Sequence, residues 1–339
     1  MATASKTVPQ AHLSRRDAET GEHDDGLSAF AGVRPRLFGI AYRMLGSAAE
    51  AEDVVQDVWL RWQSTNRKAV ENPPAYLATT TTRLCINVAQ SAHTRRETYI
   101  GTWLPEPVDT SSDPTVGAER GEALKLAVLM LLEKLSPTER AAYVLREAFD
   151  YSYDQIADIL QMQEANVRQL VSRAHKHIAD GRRAPVSSGE QRRLLEAFIA
   201  AAQKADMAGL EALFAEDVVS TSDGDGIVRA ARVPVVGRKR VAKFIATAAH
   251  FWQGVTLAWV ETTWVETNGQ AAVLVSRDGV PVALTTIDAS EQGIDQIVCI
   301  LRPSKLAGIS KSGQRLSEGC VQGPAAAQHA ASRMKTLGC

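Results

Sequence analysis

The hydrophobic period of this chain changes once, and that change divides what it can fold into. Up to residue 182 the apolar residues recur at threes and fours, the spacing of amphipathic helices. Beyond residue 254 the runs VTLAWVETTW, QAAVLVSRDG, VPVALTTIDA and IDQIVCIL read as strands. Asn268-Gly269 and Asp278-Gly279 are hairpin turns between them. Two helical segments, 190–204 and 206–215, precede the strands. The expected chain is multi-domain, all-α at first and α+β behind, with a mostly antiparallel sheet. Its 339 residues leave room for two or three domains. GTWLPEPVDTSSDPTVG at 101–117 and GRRAPVSSG at 181–189 have the Pro, Gly and Ser content of linkers.

The helical part carries its own punctuation. Ser47 followed by Glu50 forms a capping box, and the helix after it places Val54, Val55, Val58, Trp59 and Trp62 at helical spacing. Glu50, Asp53 and Asp57 fall three and four apart and form an acidic stripe on another face. Asn72 is an N-cap, with Pro73 at the first helical position. In the helix that follows, Thr79, Arg83, Asn87, Gln90 and Thr94 share a polar face. Its four consecutive threonines are stiff at χ1 and oppose helix formation, so packing or function has to compensate. Ser136-Pro137 with Glu139, and Ser152 with Gln155, repeat the capping device.

FDYSYDQIADILQMQEANVRQLVSRAHKHI, residues 149–178, reads as two short helices around a tight turn. A helix-turn-helix lays its second helix in the major groove. That helix starts near Glu164, where Asn166, Arg168 and Gln169 suit base edges and Arg173 and Lys176 suit phosphates. The same pattern fits a plain helical hairpin with a solvated face, and the turn QMQ lacks a glycine. His175 and His177 point in different directions, unlike the i, i+4 pair of a zinc helix. The four cysteines, Cys85, Cys299, Cys320 and Cys339, show neither metal-ligand spacing nor a disulfide framework. No metal or other cofactor is expected. Arg83, Arg95 and Arg96 beside Tyr76 and Tyr99 also suit single-stranded DNA, where charge tracks the backbone and rings stack on bases. A net charge of −1 opposes an unaided grip on DNA but not DNA reading by a protein held on a larger partner. No apolar run is long enough to cross a bilayer, and no signal-peptide stretch opens the chain. A cytoplasmic protein without a membrane partner is expected.

Taken together the segments resemble a bacterial RNA polymerase sigma factor of the extracytoplasmic-function type. RPRLFGIAYRMLGSAAEAEDVVQDVWLRW resembles the first half of sigma domain 2, and NPPAYLATTTTRLCINVAQSAHTRRETYIG its promoter-melting half. SPTERAAYVLREAFDYSYDQIADILQMQEANVRQLVSRAHKHI resembles sigma domain 4. YIGTWLPEPV and LLEAFIAAAQKADMAGLEALFAEDVVSTSDGDG are similar to the sigma-J-like group, whose members carry a SnoaL-like domain of the NTF2 superfamily in place of a separate anti-sigma factor. The resemblance implies promoter-specific initiation on core RNA polymerase, with no covalent chemistry. Asp53, Gln56, Asp57 and Trp59 would dock on the β′ clamp helices, and the β flap is a further contact. Thr79, Arg83, Asn87, Gln90 and Ser91 would face the −10 element, with Arg95 and Arg96 on its phosphates. Glu164, Asn166, Arg168, Gln169, Ser172, Arg173 and Lys176 belong to the helix that would read −35. No separate anti-sigma factor is expected.

The implied division is a disordered 1–26, sigma domain 2 at 27–100, a linker at 101–117, sigma domain 4 at 118–182, a linker at 183–189, an NTF2-like cone domain at 190–306 and a disordered tail at 307–339. Asp223, Gly224, Asp225 and Gly226, with Arg302, Pro303 and Lys305, occupy the group's inter-domain contact motifs. Here DGDGI replaces a glycine-rich stretch ending in lysine, and RPSKL replaces Asn-Pro-Asp-Lys-Leu. The charge changes at Asp225 and Ile227 imply an altered contact. Two rival uses of the last domain are small-molecule sensing and isomerase or cyclase chemistry. Asp206, Asp217, Asp223 and His250 are the candidate residues for the chemistry, although Asp206 and Asp217 also read as a helix cap and a turn residue.

Overall fold

The computed structural model describes residues 20–97, 99–111, 124–179, 183–228, 230–254 and 260–309, with the side chains at 20–25, 92–97, 249–254 and 260 outside the described set. Most of the two ends read as disordered also falls outside it. Helix α1 (Thr20–Leu45) nevertheless begins within the first of them.

Helix α2 (Ala48–Ser64) is capped by Ser47, whose hydroxyl accepts from the Glu50 N–H at 3.3 Å. It buries Val54, Val55, Val58 and Trp62. Helix α3 (Pro73–Glu97) starts as read, with Asn72 Oδ1 accepting from the Ala75 N–H at 3.1 Å. Its threonine run is absorbed by back-bonding: the hydroxyls of Thr80, Thr81 and Thr82 donate to carbonyls four residues earlier at 2.8, 2.8 and 2.9 Å. Thr81 and Thr82 are buried against the core.

A second helical group comprises α4 (Leu126–Leu132), α5 (Pro137–Phe149), α6 (Tyr153–Leu160) and α7 (Glu164–Ala179). The capping box at Ser136 and Glu139 is in place, and Gln155 closes on the Ser152 N–H at 3.0 Å. Between α6 and α7, Gln161 takes the left-handed conformation (φ 54°) that a glycine commonly supplies at a helix end. The two helical groups pack together. Buried Arg140 of α5 donates to the Met44 carbonyl of α1 at 2.6 Å and pairs with Glu133 at 2.7 Å. Arg36 of α1 donates to the Phe149 carbonyl at 2.9 Å and lies over the Phe149 and Tyr151 rings.

The sheet domain contains α8 (Ser188–Gln203), α9 (Met207–Leu213), β1 (Phe214–Asp223), β2 (Val235–Val236), α10 (Arg238–Gly254), β3 (Val260–Thr267), β4 (Gln270–Arg277), β5 (Val280–Ser290), β6 (Gly293–Ile300) and α11 (Pro303–Leu306). The strands run in the order β2-β1-β6-β5-β4-β3, antiparallel except for the parallel pair β1–β6. Both faces of the sheet are covered. Val273 joins Leu195, Phe198 and Trp264 in a core under the helices. Its neighbours Ala272 and Leu274, with Leu284, Val298 and Ile300, join the core of the helical groups. Each large side chain so buried contributes about 1.5–3 kcal/mol, so the sheet is seated on the helices by more than a surface touch.

Candidate nucleic-acid and partner interfaces

Three faces expected to meet partners can be followed residue by residue. On α2, Asp53, Gln56 and Asp57 are exposed. Trp59 is half-buried, its ring 4.8 Å from that of Phe30. Val55, Gln56 and Trp59 border a shallow cleft against α1, next to the exposed Arg34–Glu52 pair at 2.6 Å. Phe30 completes the lining of that cleft.

The polar face of α3 is divided. Asn87, Gln90 and Ser91 are exposed, and Thr79 is half-buried. Arg83 reaches across to the helix-turn-helix. Its Nε donates to the Ile159 carbonyl at 3.0 Å and an Nη donates to the Asp158 carbonyl at 3.5 Å. A cation there meets the negative end of α6. The side chains of Arg95 and Arg96 lie outside the described residues.

On α7, Val167, Val171, Ala174 and Ile178 are buried, whereas Glu164, Asn166, Gln169, Ser172 and Lys176 are exposed. Arg168 lies over the Tyr153 ring at 4.3 Å and pairs with Glu164 at 2.5 Å. Exposed pairs of this kind contribute about 0.3–0.5 kcal/mol, little enough to be exchanged for another partner. Arg173 stands 4.0 Å from Glu139. His175 meets Glu147 at 3.0 Å and the edge of Tyr143, and no metal-ligand group of His, Cys, Asp or Glu occurs among the described residues.

The two motifs expected at an inter-domain contact do meet, across residues 99–110. Asp223 is fully buried. It accepts from the Tyr99 hydroxyl at 2.5 Å and the Leu104 N–H at 3.1 Å, and it pairs with Lys305 at 2.7 Å. Lys305 also donates to the Leu104 carbonyl and sits 4.5 Å from the Trp103 ring. Burial, then the neighbouring Asp223, pushes the Tyr99 phenol pKa well above its ordinary value. A side chain at Gly224 would strike the Val228 carbonyl, and Gly226 adopts φ +67° against Ile100. Pro303 opens α11, which presents Lys305. The changed residues form a pair of their own: Asp225 meets Arg302 at 3.1 Å, and Arg302 donates to the Tyr99 oxygen at 3.3 Å. The changed residues thus form an ion pair within this contact.

The candidate catalytic residues have structural partners. Asp206 caps α9 through the Gly209 N–H at 3.0 Å. Asp217, on β1 rather than in a turn, pairs with Arg183 at 2.7 Å. Asp223 is held in the contact just described, and the His250 side chain lies outside the described residues. Sequence reading missed Tyr42, Glu106 and the side-chain role of Asn268. Asn268 is fully buried, and its amide binds Tyr42 Oη at 2.7 Å and the Leu124 carbonyl at 2.9 Å. The only signal it gave was that of a turn.

Comparison with known proteins gives two family matches: Sigma-70 region 2 over residues 29–96 and Sigma-70, region 4 over residues 125–178. The chain is similar to the ECF RNA polymerase sigma factor SigJ of Mycobacterium tuberculosis, at 37% identity over 65% of this chain and 72% of that protein. It is similar to the probable ECF RNA polymerase sigma factor SigI of the same organism, at 32% identity over 84% and 96%. The crystal structure of the Mycobacterium tuberculosis extracytoplasmic function sigma factor SigJ superimposes with a TM-score of 0.68 at 31% identity, covering 84% of this chain and 99% of that one. The sigma factor RpoE of Bartonella quintana, solved in complex with the anti-sigma factor NepR, aligns at a TM-score of 0.37 and 20% identity over 46% of this chain and 96% of that one, too slight a likeness to argue from. The expectation that no separate anti-sigma factor acts here draws no support from that neighbour.

Proposed function

Because this chain belongs to the extracytoplasmic-function RNA polymerase sigma factors, we propose that α2 docks it on core polymerase, that α3 reads the −10 element and α7 the −35 element, and that the sheet domain restrains these readers in cis. Sigma factors of this family bind core RNA polymerase and promoter DNA and direct promoter-specific initiation; they are not enzymes. The observation that carries the finer reading is the bond from Arg83 to the end of α6. Elements centred about 25 base pairs apart are separated by roughly 85 Å at 3.4 Å per step. Arg83 of α3 bonded at 3.0 Å to α6, the helix that leads straight into α7, holds the two readers too close to span that distance. The closed arrangement has to open before both elements are engaged. The docking face of α2 is already exposed, so docking can come first and opening second.

Under this reading residues 27–100 act as sigma domain 2, 118–182 as sigma domain 4 and 190–306 as an NTF2-like domain working in the cytoplasm. The experiment is run-off transcription with core polymerase, comparing the full chain with residues 1–189 at matched concentration. Different promoter-dependent output supports restraint in cis. Equal output makes the sheet domain a passenger.

A further inference from the structure

A chain of hydrogen bonds joins the sheet domain to the first turn of α2. Asn268, at the turn between β3 and β4, donates to the Tyr42 hydroxyl oxygen at 2.7 Å, and its Oδ1 accepts from the Val108 N–H at 3.0 Å. The Tyr42 hydroxyl in turn donates to the Glu106 carbonyl at 2.5 Å. Burial raises the Tyr42 phenol pKa, which keeps that donor protonated. Glu106 is pinned from its other side by its own N–H, which donates to the Gly46 carbonyl at 2.7 Å. Its carboxylate sits on the amino end of α2, accepting from the Ala48 N–H at 2.9 Å, the Ser47 hydroxyl at 3.2 Å and the Ala49 N–H at 3.5 Å. The Ala48 and Ala49 N–H groups are ones that no residue within the helix can satisfy, at the positive end of its dipole.

We propose that Glu106 is a positioning residue for polymerase docking, fixing the first turn of α2 so that Glu50, Asp53, Gln56 and Asp57 are presented in one register, and that Asn268 governs it through Tyr42. This rests on the docking reading above. The sheet domain then influences docking without covering the docking face.

The test measures affinity of the full chain for core polymerase, and hydrogen exchange at the Ala48 and Ala49 amides of the free chain. The variants are Glu106→Ala, Glu106→Gln, Tyr42→Phe, Asn268→Ala and the Glu106→Ala/Asn268→Ala double. Glu106→Ala should weaken core binding about tenfold and speed exchange, whereas Glu106→Gln, which keeps an acceptor, should retain most of both. Tyr42→Phe and Asn268→Ala should weaken binding by a smaller factor, and Asn268→Ala should add nothing once Glu106 is alanine. Unchanged affinity in Glu106→Ala, or additive effects of the two alanines, overturns the proposal. If Asp53→Lys/Asp57→Lys binds core normally, the docking reading fails instead. The relay is then judged by exchange alone, and unchanged Ala48 and Ala49 exchange in Asn268→Ala overturns it.

Discussion

Replacing Lys305 with methionine removes the cation from a fully buried aspartate while keeping much of the side-chain volume. Taking away one partner of a buried ion pair costs about 3–5 kcal/mol, because the other charge is left uncompensated. Asp223 would keep the Tyr99 hydroxyl and the Leu104 N–H, which places the cost at the lower end, about 3 kcal/mol. At 1.4 kcal/mol per factor of ten, the ratio of closed to open chains falls by about two orders of magnitude. Limited proteolysis of the segment 99–110 reads that ratio directly, and run-off transcription reads its consequence. The double variant Asp223→Asn/Lys305→Met removes both charges and should lose less than Lys305→Met alone. Equal protection in Lys305→Met and the natural chain would refute the reasoning. So would a double variant that is worse than the single.

Reversing charge with Asp53→Lys and Asp57→Lys should abolish co-purification with core polymerase at unchanged helix content, since both carboxylates are exposed. Arg168→Ala should cost about 1–3 kcal/mol of promoter affinity and relax preference at one −35 position, whereas Arg173→Ala should weaken all promoters alike; a binding-site selection series distinguishes them. Tyr99 and Tyr42 have raised pKa values in the closed chain, so their stabilisation is complete below the ordinary phenol value of about 10 and is lost as pH rises toward the raised values. Protease protection of the closed form should therefore fall above about pH 10, and Tyr99→Phe should flatten that fall.

Local signals were legible wherever one residue and its near neighbours settle the structure. The caps at Asn72 and Ser136, the box at Ser152 and Gln155, and the hairpins at Asn268-Gly269 and Asp278-Gly279 are of this kind. Strand β1 was not legible, because its second half, Ser220 to Asp223, is polar and yet buried. That pattern makes sense only with a charged partner from another part of the chain. Helix α10 opens on Arg238, Lys239 and Arg240, basic residues at the end where acids are favoured, and so announces itself badly. The partner faces could be named from residue type and spacing. That Arg83 would be engaged by α6, 76 residues away, could not, because no local rule sets such a pairing.

The bond between Asn268 and Tyr42 joins residues 226 positions apart. A ribosome delivers the earlier one first. At about 5–20 residues per second, the stretch from the end of α7 to the β3–β4 hairpin takes roughly 4–18 s to appear. During that interval both helical groups have been made and the hairpin that packs on them does not yet exist. Under the proposed restraint in cis, each newly made molecule therefore passes through a period in which the sheet domain does not yet act on the helical groups. Under the same proposal, slowing translation of residues 180–268 should lengthen that period.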